Sequence, residues 1–545
     1  IGMMRPFGMN FQLPWQRKNG LKFSKKNDFL ILNLGQKMTD ELKKAYERKI
    51  FDVEKLKDII GGFGRENKVI LCHGVFDIVH PGHIRHLAYA KSKAEILIVS
   101  ITCDNWVDKG AYSPHVPQNL RALSLAALDM VDYVIIDDNE KPLENLYKLQ
   151  PDYFAKGFEY SGQLPEATEE EMAVVNNYGG SLVFTPGDVV YSSSKLINTH
   201  APSLMYAKLS LMMAHFGITF DKIRSIIDKF EGIKVHVVGD AIIDSYTRTN
   251  LIGGGIKTPT FSVSFESKDN YVGGAGVVAK HMKAAGADVM LTTLLGEDDL
   301  GIFAIADLGN SGIILNNIAE EARPTTNKNV IIADGYRLLK VDTLDNAPLR
   351  PETLKIFIDK IAQSKTDCAV FSDFRHGIFN KKTIKLMSDA IPSDTLKVAD
   401  SQVASRWGNI TEFFGFDLIT PNEREARFSL GDQEANIARL ISKLKSTTQS
   451  SNVILKLGEK GMFLLCDDSY YSIDSFAGTV KDAVGAGDAL LAYSTLALKV
   501  SDCLPSASLI GSIAAACECE YDGNIPIPPD QILVKIDKIE NSFRG

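Results

Sequence analysis

Short apolar runs alternate with helically spaced segments along most of this chain. From residue 68 to about residue 199, runs such as "KVILCH", "AEILIVSI", "VDYVIID" and "GGSLVFT" are separated by stretches whose apolar residues recur every three to four positions. That alternation is typical of a parallel, doubly wound sheet covered by helices. A second series of the same kind begins at "KVHVVGDAIID" and continues to the C-terminus. We therefore predict an α/β protein with two modules.

The segments outside these series have other patterns. Residues 1 to about 40 mix Lys, Gly and Pro without periodicity and predict a mobile arm, and the start without Met suggests a chain that is incomplete or altered there. "MTDELKKAYERKIFDVEKLKDIIGGFG" predicts a helix that Thr39 or Asp40 caps and a glycine ends. Two amphipathic helices are expected between the modules. The predicted divisions are 1–66 for the arm and helix, 67–200 for the first module, 201–232 for a helical linker and 233–545 for the second module.

The composition indicates which kinds of molecule the protein binds. The 545 residues carry a net charge of -8, with 45% hydrophobic and 23% charged residues, which gives no basic field for nucleic acid. Seven scattered cysteines without a C-x-x-C pair indicate neither a disulfide framework nor a zinc site. No apolar run approaches the roughly 18 residues of a membrane span, and no segment resembles a signal peptide. We expect a cytoplasmic protein that binds small molecules, with no membrane and no nucleic-acid partner.

Two histidines follow the first predicted strand directly. In "GVFDIVHPGHIRHL", His80 and His83 lie where the strand turns into a helix, which is the usual phosphate position of such sheets. Imidazoles there, with free backbone amides and the helix dipole, could neutralise charge on an α-phosphate during in-line displacement. The plainer interpretation is that both are surface turn residues.

The flanking residues resemble a known family. "GVFDIVHPGH" resembles the G-x-F-D-x-x-H-x-G-H signature of the cytidylyltransferase-like nucleotidyltransferases, which implies nucleotide binding by Gly74, Phe76 and Asp77. "KGFEY" resembles their K-G-x-D-Y element, with Lys156 on the triphosphate and Glu159 where Asp is usual. "TPGDVVYSSSKLIN" resembles their nucleotide-phosphate motif and adds Ser192, Ser193 and Ser194, although a serine run at a helix start is otherwise a good N-cap.

The second module carries a glycine-rich turn before an apolar helix. In "DAVGAGDAL", the amides of Gly485, Ala486 and Gly487 could hold a transferring phosphoryl group, and Asp488 is placed to act as a base. The alternative is a simple helix start that Asp488 caps.

This turn resembles D-T/V-x-G-A-G-D of the ribokinase (PfkB) family of sugar kinases, in which that Asp takes the proton of the accepting hydroxyl. The resemblance continues through "VVGDAIID", "VGGAG", "TPNEREA" and "LKLGEKG". It implies sugar binding by Asp244, Gly273 and Gly274, and nucleotide binding by Lys456, Gly458 and Gly461. It also implies that Asn422 and Glu425 bind nucleotide and organise Mg²⁺ indirectly. Residues 245–271 would form a small β lid, which could pair two subunits into a homodimer or be a plain surface hairpin.

One group of proteins joins both modules, the bifunctional heptose enzymes of lipopolysaccharide-precursor synthesis. The resemblance implies phosphorylation of D-glycero-D-manno-heptose 7-phosphate at C1 by ATP with Mg²⁺, and then nucleotide transfer from ATP or CTP to the sugar 1-phosphate. In that group the kinase normally comes first, whereas here the transferase-like module leads. Val277 stands where Asn is usual, and His376 replaces a lysine by a group that titrates near neutrality. The alternatives are the same two activities on another sugar or polyol, or a nucleotide and sugar-phosphate sensor lacking one activity.

Overall fold

The computed structural model describes residues 46–107, 110, 113–157, 166–185, 205–254, 261–402, 409–467, 469–478, 480–521 and 524–544. Their contacts separate two compact units. The first is drawn from Ile1–Ile101, Asn119–Asp137 and Lys141–Val189, and the second from Thr102–Gln118, Asp138–Glu140 and Val190–Gly545. Within the described residues, no helix is both long enough and apolar enough to cross a membrane.

The first unit is an open five-stranded sheet with helices between its strands. Its strand order is β3-β2-β1-β4-β5, and β1 pairs in parallel with both of its neighbours. The central strands read as continuous apolar runs because both of their faces are covered by helices. The elements are α1 (Val53–Ile60), β1 (Val69–Gly74), α2 (Pro81–Lys91), β2 (Ile96–Thr102), α3 (Gln118–Ala126), β3 (Tyr133–Asp137), α4 (Leu143–Leu149), β4 (Tyr153–Gly157), α5 (Glu166–Asn177) and β5 (Ser181–Thr185).

The helix predicted before this sheet is interrupted. Ile50 forms a parallel bridge with Val134 of β3, so the helical path breaks although the apolar spacing continues. Asp52 starts α1 afresh by accepting a 2.9 Å hydrogen bond from the Lys55 amide, and the helix ends at Gly61 with φ of +75°. The glycine stop is therefore confirmed, the single helix is wrong, and the predicted caps at positions 39 and 40 lie outside the described residues.

The second unit contains a nine-stranded sheet and a separate four-stranded sheet. The large sheet has the order β10-β9-β6-β13-β14-β15-β16-β17-β18, parallel except at β17 and β18. The elements are α6 (Met205–His215), α7 (Phe220–Ile227), β6 (Lys234–Gly239), β7 (Ala241–Gly254), β8 (Phe261–Gly274), α8 (Ala275–Ala284), β9 (Asp288–Leu294), α9 (Asp299–Asn310), β10 (Ile314–Ile318), β11 (Asn327–Ala333), β12 (Tyr336–Thr343), α10 (Pro351–Gln363), β13 (Cys368–Asp373), α11 (Lys381–Asp389), β14 (Leu396–Ser401), β15 (Leu418–Ile419), α12 (Glu423–Leu430), α13 (Ile437–Thr448), β16 (Asn452–Lys456), β17 (Met462–Cys466), β18 (Ser469–Ile473), α14 (Ala486–Ser501), α15 (Leu504–Glu518) and α16 (Pro529–Arg544). The predicted α/β class is confirmed in both units.

The helices expected to connect the modules pack into the second unit. Leu209, Met212 and Ile223 belong to the same buried cluster as Val235 and Val237 of the first central strand. Their apolar stripe is therefore part of the core of the second unit.

The smaller sheet is the predicted lid. β7 and β8 form a long antiparallel hairpin, and β11 adds to β7 in parallel, which gives the order β12-β11-β7-β8. The base of the hairpin reaches the large sheet, where Ile242 pairs with Gly273 and Asp244 with Tyr271. The lid strands therefore hold Asp244 at the edge of the nucleotide-sized pocket described below. Pairing of two lids into a homodimer remains a prediction.

Candidate active site

The turn before α14 has the backbone geometry of an anion-binding loop. Gly485 is the N-cap of this helix with φ of +85°, a conformation that side chains other than glycine rarely adopt. A Cβ atom there would lie 2.8 Å from Asn524 Oδ1 and 2.9 Å from Glu518 Oε1. The amides of residues 486 to 488 open the helix and have no helical partner, so they are available to an anion.

Asp488 lies in the first turn of α14 and faces the same pocket. The alternative that it caps the helix is wrong, because Gly485 is the N-cap and no side chain makes the capping bond. The pKa of Asp488 is raised to about 7, chiefly by burial and also by the Asp400 carboxylate, while Lys456 opposes the shift. A carboxylate that titrates near neutrality is suited to removing a proton from a hydroxyl group.

A pocket of about 720 Å³ opens beside this turn and gathers most of the predicted residues of the second unit. Polar and charged groups line it together with small apolar side chains such as those of Val484 and Ala516. A mixed lining of this kind suits a ligand with a charged part and an apolar part. The predicted residues that line it are Asp244, Gly274, Asn422, Glu425, Lys456, Gly458, Gly461, Gly485, Ala486, Gly487 and Asp488.

Lys456 supplies positive charge to this pocket next to the glycine turn. Its ammonium donates a 2.8 Å hydrogen bond to Asp400 Oδ1, and a Cβ on Gly487 would lie 3.5 Å from its Nζ. The pKa of Lys456 is raised, because the carboxylates of Asp400 and Glu425 outweigh the effect of its burial, which alone would lower it. The lysine therefore stays charged next to the glycine turn.

Asn422 and Glu425 hold each other at the start of α12. The Asn422 side chain accepts from the Glu425 amide at 2.8 Å, and Glu425 Oε2 accepts from the Asn422 amide at 2.7 Å, which is a capping box. Burial raises the pKa of Glu425 to about 7, with Lys456 opposing and Asp400 adding to the shift. The local sequence thus fixes both side chains at the pocket wall.

Glycines allow the chain to approach closely around Asp244. A Cβ on Gly273 would lie 2.1 Å from Asp244 Oδ2, and one on Gly274 would lie 2.3 Å from the Asp240 carbonyl oxygen. Burial raises the pKa of Asp244, and Lys328 opposes this shift. Across the pocket, Gly461 has φ of +85° and a Cβ there would lie 2.0 Å from the Ile473 carbonyl oxygen.

The structure adds residues that the motifs do not include. Asp400 ends a buried strand at its carboxyl edge, a position that sequence reasoning could have used. Lys328 on β11 and Asn524 after α15 also line the pocket, but they reach it through long-range packing without a local motif.

Two positions that depart from the family pattern are buried. Val277 is completely buried within α8. The expectation that His376 titrates near neutrality is wrong, because burial, aided by Lys328 and Lys340, lowers its pKa to about 4. His376 is therefore a neutral side chain at pH 7 and does not replace a lysine charge.

In the first unit, both predicted histidines lie at the start of α2. His80 is the N-cap, its Nδ1 accepts from the Gly82 amide at 3.1 Å, and burial lowers its pKa. The rings of His80 and His83 stack with centroids 3.9 Å apart, and Phe76 packs 5.0 Å from His83 on the other side. The sequence therefore builds an ordered stack of imidazoles at the carboxyl edge of β1.

The other predicted residues of this unit surround the same edge. Phe76 has φ of +49°, and a Cβ on Gly74 would lie 3.3 Å from its ring; Asp77 is buried. Lys156 ends β4 and pairs with Glu171 of α5 at 2.6 Å, a contact that the motif did not predict. Residues 192 to 194 lie outside the described residues, as does Glu159.

A kinase-type phosphate loop at a helix start, a lysine beside it and a β lid over the pocket define the second unit as a carbohydrate kinase fold. The chain belongs to the pfkB family of carbohydrate kinases, whose sequence profile matches residues 233–530. A cytidylyltransferase-like profile matches residues 71–199, so the predicted order, with the transferase-like segment first, is confirmed.

Several curated relatives carry the name bifunctional protein HldE. The one from Trichlorobacter lovleyi is 25% identical over 323 residues, which cover 58% of this chain and 65% of the relative. The one from Helicobacter pylori strain HPAG1 is 30% identical over 298 residues, which cover 52% of this chain and 62% of that relative. The matched region thus spans less than two thirds of the length of these relatives.

Solved structures with a similar fold include two kinases. Phosphofructokinase-2 from Escherichia coli, in complex with substrates and products, has a TM-score of 0.48 at 15% identity and covers 57% of this chain and 99% of its own. Arabidopsis thaliana ribokinase, complexed with ribose and ATP, has a TM-score of 0.46 at 18% identity. The match covers 56% of this chain and 99% of the ribokinase chain.

Proposed function

We propose that the second unit phosphorylates a sugar phosphate at its C1 hydroxyl group, with ATP as the donor. The observation that carries this proposal is the pocket that brings Asp244, Asp488 and the glycine turn at residues 485 to 487 together. Asp244 binds sugar hydroxyls on the lid side. Asp488 accepts the proton of the attacking hydroxyl, and the γ-phosphoryl group passes to the sugar oxygen while ADP leaves.

Hydrogen-bond donors that are already positioned stabilise the negative charge that develops on the transferring phosphoryl group. The amides at residues 486 to 488 and the Lys456 ammonium require no reorganisation when that charge appears, which is the condition for strong electrostatic stabilisation. The small apolar wall at Val484 and Ala516 takes the nucleobase.

The residues at the phosphate end also fit Mg²⁺. Asp400 and Glu425 present carboxylate oxygens, the ligands that Mg²⁺ prefers, and Mg²⁺ usually keeps several waters, so contacts through water from Asn422 and Glu425 suffice. When bound, the ion supplies further neutralisation of phosphate charge.

We infer a second activity for the first unit, nucleotide transfer from ATP or CTP to the sugar 1-phosphate. A phosphate oxygen of the sugar 1-phosphate attacks the α-phosphorus, and the bond to the leaving pyrophosphate breaks. His80 and His83 lie at the helix start where the α-phosphate would bind, and Lys156 holds the triphosphate. The product of the kinase is therefore the nucleophile of the transferase.

The substrate proposed first is D-glycero-D-manno-heptose 7-phosphate, for a nucleotide-activated heptose used in surface glycans. Its support is the similarity to proteins named HldE across 52 to 58% of this chain. A second candidate is the same chemistry on another sugar or polyol, because Val277 and His376 stand where the resembled heptose enzymes have Asn and Lys, although neither side chain lines the described pocket.

A product analysis tests both candidates. The purified protein is incubated with ATP, CTP, Mg²⁺ and a panel of sugar 7-phosphates and unphosphorylated sugars, and products are identified by mass spectrometry. A nucleotide-linked heptose supports the first candidate, and another nucleotide-linked sugar supports the second. Release of neither ADP nor pyrophosphate with any substrate contradicts both and favours a sensor.

A further inference from the structure

Two buried polar side chains lie behind the glycine turn and have no role in the chemistry described above. Glu518 ends α15 and is 1% exposed, and Asn524 follows that helix and is 9% exposed. Glu518 Oε1 and Asn524 Oδ1 lie 2.9 Å and 2.8 Å from the point where a Cβ of Gly485 would be. The two oxygens thus flank one point beneath the phosphate loop.

Hydrogen bonding to these oxygens is incomplete within the described residues. Neither carboxylate oxygen of Glu518 has a hydrogen bond of good geometry there, although the Ile525 amide interacts with this carboxyl group, and Asn524 Oδ1 has none either. The amide nitrogen of Asn524, in contrast, donates a 3.2 Å hydrogen bond to Asp244 Oδ2. Both oxygens approach the same point beside Gly485, and an unsatisfied buried acceptor is costly, so a proton carried by Glu518 would stabilise this arrangement.

The surroundings of Glu518 favour the protonated acid. The pKa of Glu518 is raised to about 8, chiefly by burial and also by the carboxylates of Asp488 and Asp482, against a lowering by a hydrogen bond from the Ile525 amide. The thiols of Cys517 and Cys519 on the same helix also have raised pKa values, so they add no charge at neutral pH. Glu518 is therefore a potential hydrogen-bond donor at pH 7.

We propose that neutral Glu518 is a positioning residue for Asp244, acting through Asn524. Its carboxylic O–H donates to Asn524 Oδ1, which fixes the amide so that Nδ2 donates to the Asp244 carboxylate. Asp244 is thereby held in the orientation that binds sugar hydroxyls, so the inference rests on the proposed function. Ionisation of Glu518 removes the hydrogen bond from Glu518 to Asn524, so the Asp244 carboxylate is held less firmly.

The kinetic test compares the wild type with Glu518→Gln, whose amide still donates to Asn524 but does not titrate. In the wild type, KM for the sugar phosphate is expected to rise above pH 8 while kcat changes less; in Glu518→Gln, KM stays constant over that range. Glu520→Gln is the matched control, because Glu520 is a neighbouring acid that pairs with Lys535 outside this chain of contacts. Its profile should follow the wild type.

A second measurement does not depend on activity. An acid whose folded pKa exceeds the ordinary value of about 4.3 loses stability as pH rises between the two values. The melting temperature of Glu518→Gln minus that of the wild type should therefore increase from about pH 5 to pH 8 and then level off.

The outcomes separate the two levels of the proposal. A KM rise above pH 8 that persists in an active Glu518→Gln enzyme, or a melting difference independent of pH, overturns the role of Glu518 and leaves the kinase assignment intact. A wild type that phosphorylates no sugar phosphate overturns the kinase assignment itself, and the positioning role with it.

Discussion

Asp488 links the proposed phosphorylation to pH. Because its pKa is about 7 and a base must be deprotonated, the phosphorylation rate should fall roughly tenfold per pH unit below pH 7 and level off above it. Asp400→Asn should move this limb to lower pH, since Asp400 raises the pKa of Asp488 and also engages Lys456. Rate profiles of both proteins measure this; a rate that is flat from pH 5.5 to 7.5 contradicts the assignment of the base.

Lys156 is tested through its ion pair. If the lysine holds triphosphate, Lys156→Ala should raise KM for the nucleotide more than KM for the sugar 1-phosphate. The alteration also leaves Glu171 buried without its cation, so the double variant Lys156→Ala with Glu171→Gln separates folding from binding. Recovery of normal nucleotide KM in the double variant would show that Lys156 only neutralises Glu171.

At the level of elements, the question is whether α6 and α7 belong to the core of the second unit. Ile223 is fully buried in the apolar cluster that also contains Val235 and Val237 of β6, so Ile223→Ala should lower the free energy of unfolding by about 2 to 5 kcal/mol. The control is Ile302, which is 66% exposed. Ile302→Ala should change the free energy of unfolding by less than about 0.5 kcal/mol. Denaturant unfolding provides both values. If Ile223→Ala lowers the free energy of unfolding no more than the control does, the two helices act as the predicted linker and not as part of the core.

The helices and strands also show which structural features could be predicted from the local sequence. The central strands could be predicted because burial on both faces requires continuous apolar runs, and α1 ends where Gly61 adopts a positive φ. The break at Ile50 could not, because its pairing with Val134 is a long-range contact that overrides a continuing helical period. Turns at residues 80 and 485 carry local signatures, whereas Asn524 and Glu171 reach their sites only through tertiary packing.

Across the whole molecule, two chemically successive activities are proposed for separate units of one chain. The motif at residues 485 to 488 lies in the second unit and the histidine stack in the first. Nothing in the proposed chemistry of either site uses a residue of the other. Loss of one activity should therefore leave the other intact, and the product of one reaction should be accepted when it is supplied from outside.

The most direct test is a paired measurement on Asp488→Asn and His83→Ala. Asp488→Asn keeps the size of the side chain but removes the base, so phosphorylation should fall roughly a hundredfold or more, while supplied sugar 1-phosphate is still converted to nucleotide sugar. His83→Ala should show the reverse, with nucleotide transfer reduced by about a hundredfold or more and phosphorylation unchanged. If either variant, still folded, loses both activities or neither, the account of two independent sites is contradicted.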